Sequence, residues 1–496
     1  MNLAALLDRH PSEQVALISR GKLTTYGQIA DDAAQLRAGL AGLGLEPGDR
    51  VGIVCGNNWY FVTSYLAVLG AGLVAVPLNP TSPHIELETQ LHGVGARAVI
   101  LGPTARAVLD TIDRAKVPEV EHWIGCGFSP EGGTTLEDVL DAEPGPIVER
   151  DDDDLAVLVF TSGTAGSPKA AMLTHGNLRT NIAQMLSSPG AEQTDDDVVF
   201  AVLPLFHIFG LNVVLGATMA VGGKLLLVER FDPTSAIESI QKHGVTVVSG
   251  PPTMWAAFAG LPEAEPDSFA GVRLAISGAA RLPEETARAV QERFGIHLHE
   301  GYGLTEASPV VTSSVGTAAP TGSVGIPVPG LEVRLVDDEG EDVLIGDPGE
   351  IWVRGPNVFA GYWNDPDTSA RTVDAEGWLH TGDVATVDDD GYLYLVDRVK
   401  DLIIVSGFNV YPAEVEEVLM QHPGIDACAV VGVPHPYSGE AVKAYVVTVK
   451  DWAVEEDDIV SFCAARLARY KCPEKIWFVD EVPQGMTGKV LRRALR

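Results

Sequence analysis

Through roughly its first three hundred residues the chain alternates short apolar runs with stretches whose apolar residues recur at helical spacing. The runs RVGIVCG (50–56), LVAVPLN (73–79), RAVILG (97–102), LAVLVFT (155–161), VVFAVLP (198–204), KLLLVE (224–229), VTVVSG (245–250) and RLAISG (273–278) are mostly rich in Val, Ile and Leu without polar alternation. Such runs predict strands covered on both faces. Between them, residues 27–43 place Ile29, Ala33, Leu36, Leu40 and Leu43 at spacings of four and three, which makes one apolar helix face. Strands alternating with helices predict parallel or mixed sheets in an α/β architecture. From Val198 to Gly223 there is no Asp, Glu, Lys or Arg, a length that could cross a bilayer. Pro204, His207 and Asn212 interrupt it, so it reads as a buried strand followed by a loop and a buried helix.

The texture changes after Val311. Residues 313–330 are loop-like, and LEVRLVD (331–337), GEIWVRG (349–355) and GYLYLVD (391–397) predict a β-rich subdomain. A break near 397–401 opens a C-terminal unit, with a helix beginning after Pro412 and strands at 427–433 and 441–449. A further helix is expected over 455–470, with Glu455, Glu456, Asp457 and Asp458 at its start and Arg466 and Arg469 near its end, which suits the helix dipole. The expected division is therefore 1–397 and 398–496. Asp151–Asp154 predicts a solvated loop before a strand.

Composition narrows the field. Hydrophobic residues at 46% and charged residues at 21% suit a large buried core, which excludes a disordered chain. Lys plus Arg total 34 against 68 Asp plus Glu, a net charge of −34. A field of that sign repels phosphate backbones and anionic lipid surfaces, so neither nucleic acid nor stable membrane insertion is expected. Any phosphate-bearing substrate must be gripped locally, by backbone N–H groups, a metal and a few placed cations. The five cysteines form no C-x-x-C pair, so no metal or disulfide framework is expected. The start, MNLAALLDRHPSEQ, lacks a basic stretch followed by an apolar core and a small-residue cleavage site, so a cytoplasmic chain is the expectation.

The stretch FTSGTAGSPKA (160–170) directly follows an apolar strand run. Thr161, Ser162, Thr164 and Ser167 offer hydroxyls, Gly163 and Gly166 allow close backbone approach, and Lys169 adds a cation. Such a loop can cradle a polyphosphate, although the Walker spacing G-x-x-x-x-G-K-[ST] is absent. It resembles the phosphate-binding signature of the superfamily of acyl-CoA synthetases, nonribosomal adenylation domains and luciferases. Ala165 stands where that pattern has a hydroxyl residue, and Ala170 where it has a glycine.

Further segments resemble the same superfamily, in its order, over about residues 20–493. SGAA (277–280), with Gly278, Ala279 and Ala280, resembles one wall of the adenine pocket. GYGLTE (301–306) resembles the adenine- and magnesium-binding motif. The resemblance implies Gly301, Tyr302 and Gly303 against adenine, Thr305 near phosphate, and Glu306 as both a catalytic residue and the Mg²⁺ ligand. HTGD (380–383) supplies Asp383 and DRVKDLI (397–403) supplies Arg398 for the ribose, with Lys400 at the hinge. SGFN (406–409) resembles the pantetheine tunnel, bringing Ser406, Gly407 and Phe408 to CoA, and PQGMTGKV (483–490) carries Lys489 as the adenylation lysine. The implied fold is α/β: a large N-terminal adenylate-forming domain of mixed sheets with a β-rich subdomain, plus a small mobile α+β C-terminal domain.

The chemistry agrees with the residues. A carboxylate is a poor acyl donor, and attack on the α-phosphate of ATP converts it to an acyl-adenylate from which a thiol displaces AMP. Charge builds up in the first step, so cations are needed where it develops. His207, in PLFHIFG, has two readings: a satisfied core histidine, or the family's catalytic histidine that helps admit the thiol. Amino-acid-activating members usually place an aspartate there, so an amino-acid substrate is not expected. FHIFGLNVVLG (206–216), GPPTMWAAFAG (250–260) and ASPVV (307–311) are expected to line an apolar acyl pocket. The reading is an acid–thiol ligase that uses ATP and Mg²⁺ to join a medium- or long-chain fatty acid to CoA. The alternatives are an aryl or arylpropenoic acid, a malonate-type dicarboxylate bound by Arg281, or loading of a carrier protein. A homodimer is left open.

Overall fold

The computed structural model describes residues 1–161, 168–337, 339–398, 401–405, 408–435, 439–450, 452, 454–467, 469–485 and 490–495; of Asp397, Arg398, Phe408, Asn409, Gly439 and Arg493 the backbone alone is described. Two large mixed sheets dominate the N-terminal part. In one, the parallel strands His122–Gly125, Ala98–Leu101, Arg50–Val54, Val74–Leu78 and Leu155–Thr161 lie side by side, and Lys169–Thr174 adds antiparallel to the last of them. In the other, Val15–Ser19, Lys224–Leu227, Val198–Ala201, Val247–Gly250, Leu274–Ser277 and His299–Gly303 run parallel, and Val310–Ser313 turns back antiparallel beyond His299–Gly303.

Both faces of the inner strands are covered, as their unbroken apolar runs require. Val51, Ile53, Val199 and Ala201 share one core with Ile29, Leu36 and Leu40 of helix Tyr26–Gly42 and with Phe61 and Val62 of helix Trp59–Gly70. The alternate residues Phe200 and Val248 pack outward against Trp255 and Phe258, and Val76 and Val99 against Leu87 and Leu91. Thr25 starts the first helix with a capping box to Gln28, closing two N–H groups the helix leaves open.

A four-stranded antiparallel sheet follows: Glu332–Val336, Gly349–Arg354, Leu379–Val387 and Leu393–Arg398. The C-terminal residues build a separate sheet from Phe408–Val410, Ile403–Val405, Gly439–Thr448, Ile425–His435 and Lys475–Phe478, with its own core around helices Pro412–Met420 and Glu456–Ala464. The second of these helices is shorter than expected. The N–H groups of Arg466 and Leu467 both bond the Cys463 carbonyl, the turn tightens, and Arg466 lays its guanidinium 3.6 Å from the Phe462 ring centre. Arg466 and Arg469 therefore lie beyond the helix rather than inside its last turn.

The uncharged stretch 198–223 resolves into strand Val198–Ala201, the π-helical segment Phe209–Gly216 and helix Ala217–Val221. Among the described residues no helix is long and apolar enough to cross a membrane.

Candidate active site

A cavity of about 670 Å³ opens beyond the carboxyl ends of strands from both large sheets, where Thr161, Gly278 and Gly303 all reach its wall. Open α/β sheets bind ligands at such ends. Thr161 and Lys169 stand on paired strands, in direct register, with residues 162–168 between them in the chain. Tyr302, Thr305 and Glu306 enter from the strand His299–Gly303 and the single turn Thr305–Ala307 that follows it. Glycine is required at 303, where an added Cβ would lie 2.2 Å from the Pro309 carbonyl oxygen. His380, Thr381 and Gly382 close one side, while Gly485 and Leu491, which flank Lys489, reach the same cavity from the C-terminal part.

The charged groups here have defined partners. Lys169 Nζ donates to Asp365 Oδ2 at 2.9 Å and to Thr368 Oγ1 at 2.7 Å, and it sits 5.4 Å from the Tyr362 ring centre. The lysine's hydrogen bond, with those of Thr368, holds the Asp365 carboxyl down at about 2. Tyr362 OH donates to Glu306 Oε1 at 2.6 Å, and burial, reinforced by the Glu306 charge, raises the Tyr362 phenol well above its ordinary value. Tyr302 OH donates to Asp383 Oδ2 at 2.7 Å, and both residues are buried. Glu300 has a buried carboxyl at the cavity wall; burial pushes it up to about 7, against the N–H groups of Leu282 and Gly322 and the Arg281 charge, which lower it.

The other part of the cavity is largely apolar, walled by Met185, Leu186, Phe206, Phe209, Val213 and Val310. The Phe209 ring can lie against the strand end because residue 278 is glycine: a Cβ there would meet the ring at 2.9 Å. His207 belongs to this wall. Its Nδ1 accepts from the Phe209 N–H at 3.2 Å, so a neutral ring carries its proton on Nε2. Leu274, at the amino end of its strand, and Gln193, in the loop before Val198–Ala201, also line the cavity, which thus follows the length of Leu274–Ser277, about 10 Å at the usual rise per residue. The buried Gln193 Oε1 has no hydrogen-bond partner among the described residues.

Thr161, Lys169, His207, Gly278, Ala279, Gly301, Tyr302, Gly303, Thr305 and Glu306 thus share one cavity wall, with Asp383 joined to it through Tyr302. Ala280 does not reach the wall. Segment 250–260 does not line it either: Met254, Trp255 and Phe258 are drawn into the core on the outer face of the sheet, and the Trp255 indole donates to the Ile276 carbonyl. Residues 185–193 take the place expected for that segment. Arg281 lies outside the lining and pairs with Glu417 of the C-terminal part at 3.1 Å, so its contribution to the pocket is the charge felt by Glu300 and not a lining cation.

Arg398 faces Asp383 in strand register; its side chain lies outside the described residues, as does that of Phe408. Ser162, Gly163, Thr164, Gly166, Lys400, Ser406, Gly407 and Lys489 lie outside them entirely. The motif reading missed Tyr362, Asp365 and Thr368. One signal was available, since Asp365-Pro366 is a helix-start pair and Asp365 does cap helix Pro366–Thr372.

A hard cation fits these donors. Among the described residues Glu306 Oε2 takes no protein donor, and no three His, Cys, Asp or Glu side chains gather as a cage. An ion at Glu306 would take its other oxygens from ligand phosphates and water.

Residues 3–363 match the family described as AMP-binding enzyme, and residues 414–489 match the AMP-binding enzyme C-terminal domain. A long-chain-fatty-acid–CoA ligase of Escherichia coli O157:H7 is 37% identical over 98% of this chain and 92% of its own length. A feruloyl-CoA synthase of an Amycolatopsis species is also 37% identical, over 96% of this chain and 94% of its own length. Among solved structures, ATP-bound MatB from Rhodopseudomonas palustris superposes with a TM-score of 0.92 at 33% identity, covering 100% of this chain and 98% of that one. The chain belongs to the AMP-binding enzyme family, as an AMP-forming acid–thiol ligase.

Proposed function

We propose that this enzyme activates a medium- or long-chain fatty acid with ATP and transfers the acyl group to CoA. The acid's carboxylate oxygen attacks the α-phosphorus of ATP, the bond to the β-phosphate breaks, and pyrophosphate leaves. The CoA thiolate then attacks the acyl carbon of the adenylate and AMP leaves. In this reading Tyr302 lies against adenine, Asp383 and Arg398 hold the ribose hydroxyls, and Lys169 with residues 161–166 grips the phosphates. Glu306 holds Mg²⁺, which when bound offsets phosphate charge as pyrophosphate departs. Lys489 stabilises charge between carboxylate and α-phosphate, and Gly485 and Leu491 at the cavity support its delivery there.

His207 and the segment Ser406–Phe408 serve the second step. Lys489 and Ser406–Phe408 act at one reacting carbon from a domain with a radius of about 13 Å, which supports rotation about Lys400 between steps.

The observation that carries the substrate reading is the apolar wall of Met185, Leu186, Phe206, Phe209, Val213 and Val310. A second carboxylate in that pocket would lack a cation, because Arg281 is paired elsewhere. A second reading, an aryl or arylpropenoic acid bearing a hydroxyl, is favoured by the unpartnered Gln193 Oε1, which could accept from that hydroxyl. Pyrophosphate release and acyl-CoA formation should be measured across acetate, malonate, octanoate, longer alkanoates and hydroxycinnamates, with CoA present and absent. Octanoate or longer acids are expected to give the highest kcat/KM, since each buried methylene adds about 0.8 kcal/mol. A maximum at malonate sinks both readings, and a maximum at hydroxycinnamates replaces the first with the second.

A further inference from the structure

The strongest feature that the reaction scheme leaves unused is the segment running from Ala360 into helix Pro366–Thr372. Its first part is fixed to the strand that carries Lys169. Ala360 N–H bonds the Met172 carbonyl, Met172 N–H bonds the Gly361 carbonyl, and Trp363 N–H bonds the Ala170 carbonyl, at 2.8–2.9 Å. Its second part is fixed by Asp365, whose Oδ1 accepts from the Thr368 N–H at 3.1 Å and caps the helix. Tyr362, Asp365 and Thr368 are therefore held on one braced segment beside the cavity.

That segment meets two opposite charges of the cavity separately. Glu306 receives the Tyr362 hydroxyl on Oε1, while Lys169 gives hydrogen bonds to Asp365 and Thr368. An ammonium has three N–H groups and a carboxylate two oxygens. Among the described residues two Lys169 donors and one Glu306 oxygen are engaged, which leaves one further position on each side chain. An ammonium and a carboxylate lining one cavity also attract one another. A direct pair between them would neutralise both charges and remove them from any phosphate or cation entering later.

We infer that Tyr362 and Asp365 are positioning residues, holding Glu306 and Lys169 apart and preset for the nucleotide's cation and phosphates. Asp365 acts through Lys169 and Tyr362 through Glu306; neither needs to touch the nucleotide. This rests on the proposed nucleotide reading of the cavity.

Asp365→Asn tests it cleanly, because asparagine caps a helix about as well as aspartate while removing the charge that holds Lys169. Binding of Mg²⁺ with α,β-methylene-ATP to the full chain would be followed by calorimetry, without acid or CoA. Asp365→Asn is expected to keep a cooperative melting transition, lowered by no more than the loss of one partly exposed ion pair, and to weaken binding about tenfold, the scale of one charge-assisted hydrogen bond. The loss arises because Lys169 falls onto Glu306. In a Glu306→Gln background there is no carboxylate to receive it, so the same substitution should weaken binding less than about twofold, a coupling that a merely structural role would not produce. Tyr362→Phe should raise the Mg²⁺ concentration needed for half-maximal analogue binding and leave affinity at saturating Mg²⁺ nearly intact. Equal weakening by Asp365→Asn in both backgrounds, or tighter binding in the single variant, overturns the positioning role. Failure of the unaltered chain to bind the analogue overturns the nucleotide reading itself.

Discussion

Around Glu306 the cavity is built from charged and polar groups that each have a fixed partner: Lys169 on Asp365 and Thr368, Glu306 on Tyr362, Asp383 on Tyr302. Around Phe209 and Met185 it is built largely from apolar side chains, and two buried polar atoms of the lining, Gln193 Oε1 and Ser277 Oγ, have no partner among the described residues. The first arrangement fixes the position of charge before a ligand arrives and tolerates little change. The second discriminates by volume and by area removed from water, which grade smoothly with side-chain size. Nucleotide chemistry and acyl choice are therefore expected to respond to mutation on different scales. Relatives named for a fatty acid and for feruloyl, at equal identity to this chain, are what such a division predicts.

The comparison breaks most visibly at Glu306. Glu306→Gln keeps the size and the hydrogen bond from Tyr362 but holds a cation poorly. It should retain the melting transition and lose pyrophosphate-forming activity by roughly a hundredfold or more, the scale seen when preset charge at a reacting centre is removed. Near-normal turnover with any acid would remove Glu306 from its proposed role and make the two ends of the cavity energetically alike.

A smaller effect is expected at the apolar end. Replacing Gln193 with Leu removes the unpartnered amide oxygen and adds no charge. It should raise kcat/KM for long alkanoates by roughly fourfold, the equivalent of one more buried methylene, and lower it for hydroxycinnamates. A rise for hydroxycinnamates as well would mean that the amide oxygen faces no substrate.

How much of this could be read from the chain follows the same division. Eight strands of the two large sheets were legible because their apolar runs are continuous, whereas Val15–Ser19, His122–Gly125, Lys169–Thr174, His299–Gly303 and Val310–Ser313 were not foreseen. The end of helix Glu456–Ala464 was not, because a local turn around Cys463 overrides the charge pattern that suggested a longer one. Tyr302, Thr305 and Glu306 were legible because they sit on one strand and the turn after it, so adjacency in sequence becomes adjacency in the site. Met185, Leu186 and Gln193 were not, since they reach the cavity from a helix end and a loop more than one hundred residues away from Tyr302. Trp255 and Phe258 were misplaced for the converse reason: an apolar run does not say which face of a sheet it covers. Tyr362 and Asp365 carry recognisable residue types, but only strand pairing beside Lys169 shows what they hold.

The smallest effect separates stability from catalysis within the polar end. Glu300 lies in the wall near Tyr302, buried, with its carboxyl raised from 4.5 to about 7 chiefly by desolvation. A raised acid pKa means that the folded chain binds the proton more tightly than the unfolded chain. The resulting contribution to stability is therefore complete below about pH 4.5 and is lost as pH rises through 7. Glu300→Gln presents a permanently neutral side chain whose carbonyl oxygen can still accept from Leu282 and Gly322. Urea unfolding should give nearly equal midpoints for the two proteins at pH 4, where the carboxyl is protonated in the native chain and mostly protonated in the unfolded one. At pH 8.5 the variant should be the more stable by about 1–3 kcal/mol, the scale of a shift of this size. An equal difference at both pH values would mean that packing rather than ionisation governs the site, and a variant less stable at pH 8.5 would mean that the ionised carboxylate is the form the fold prefers.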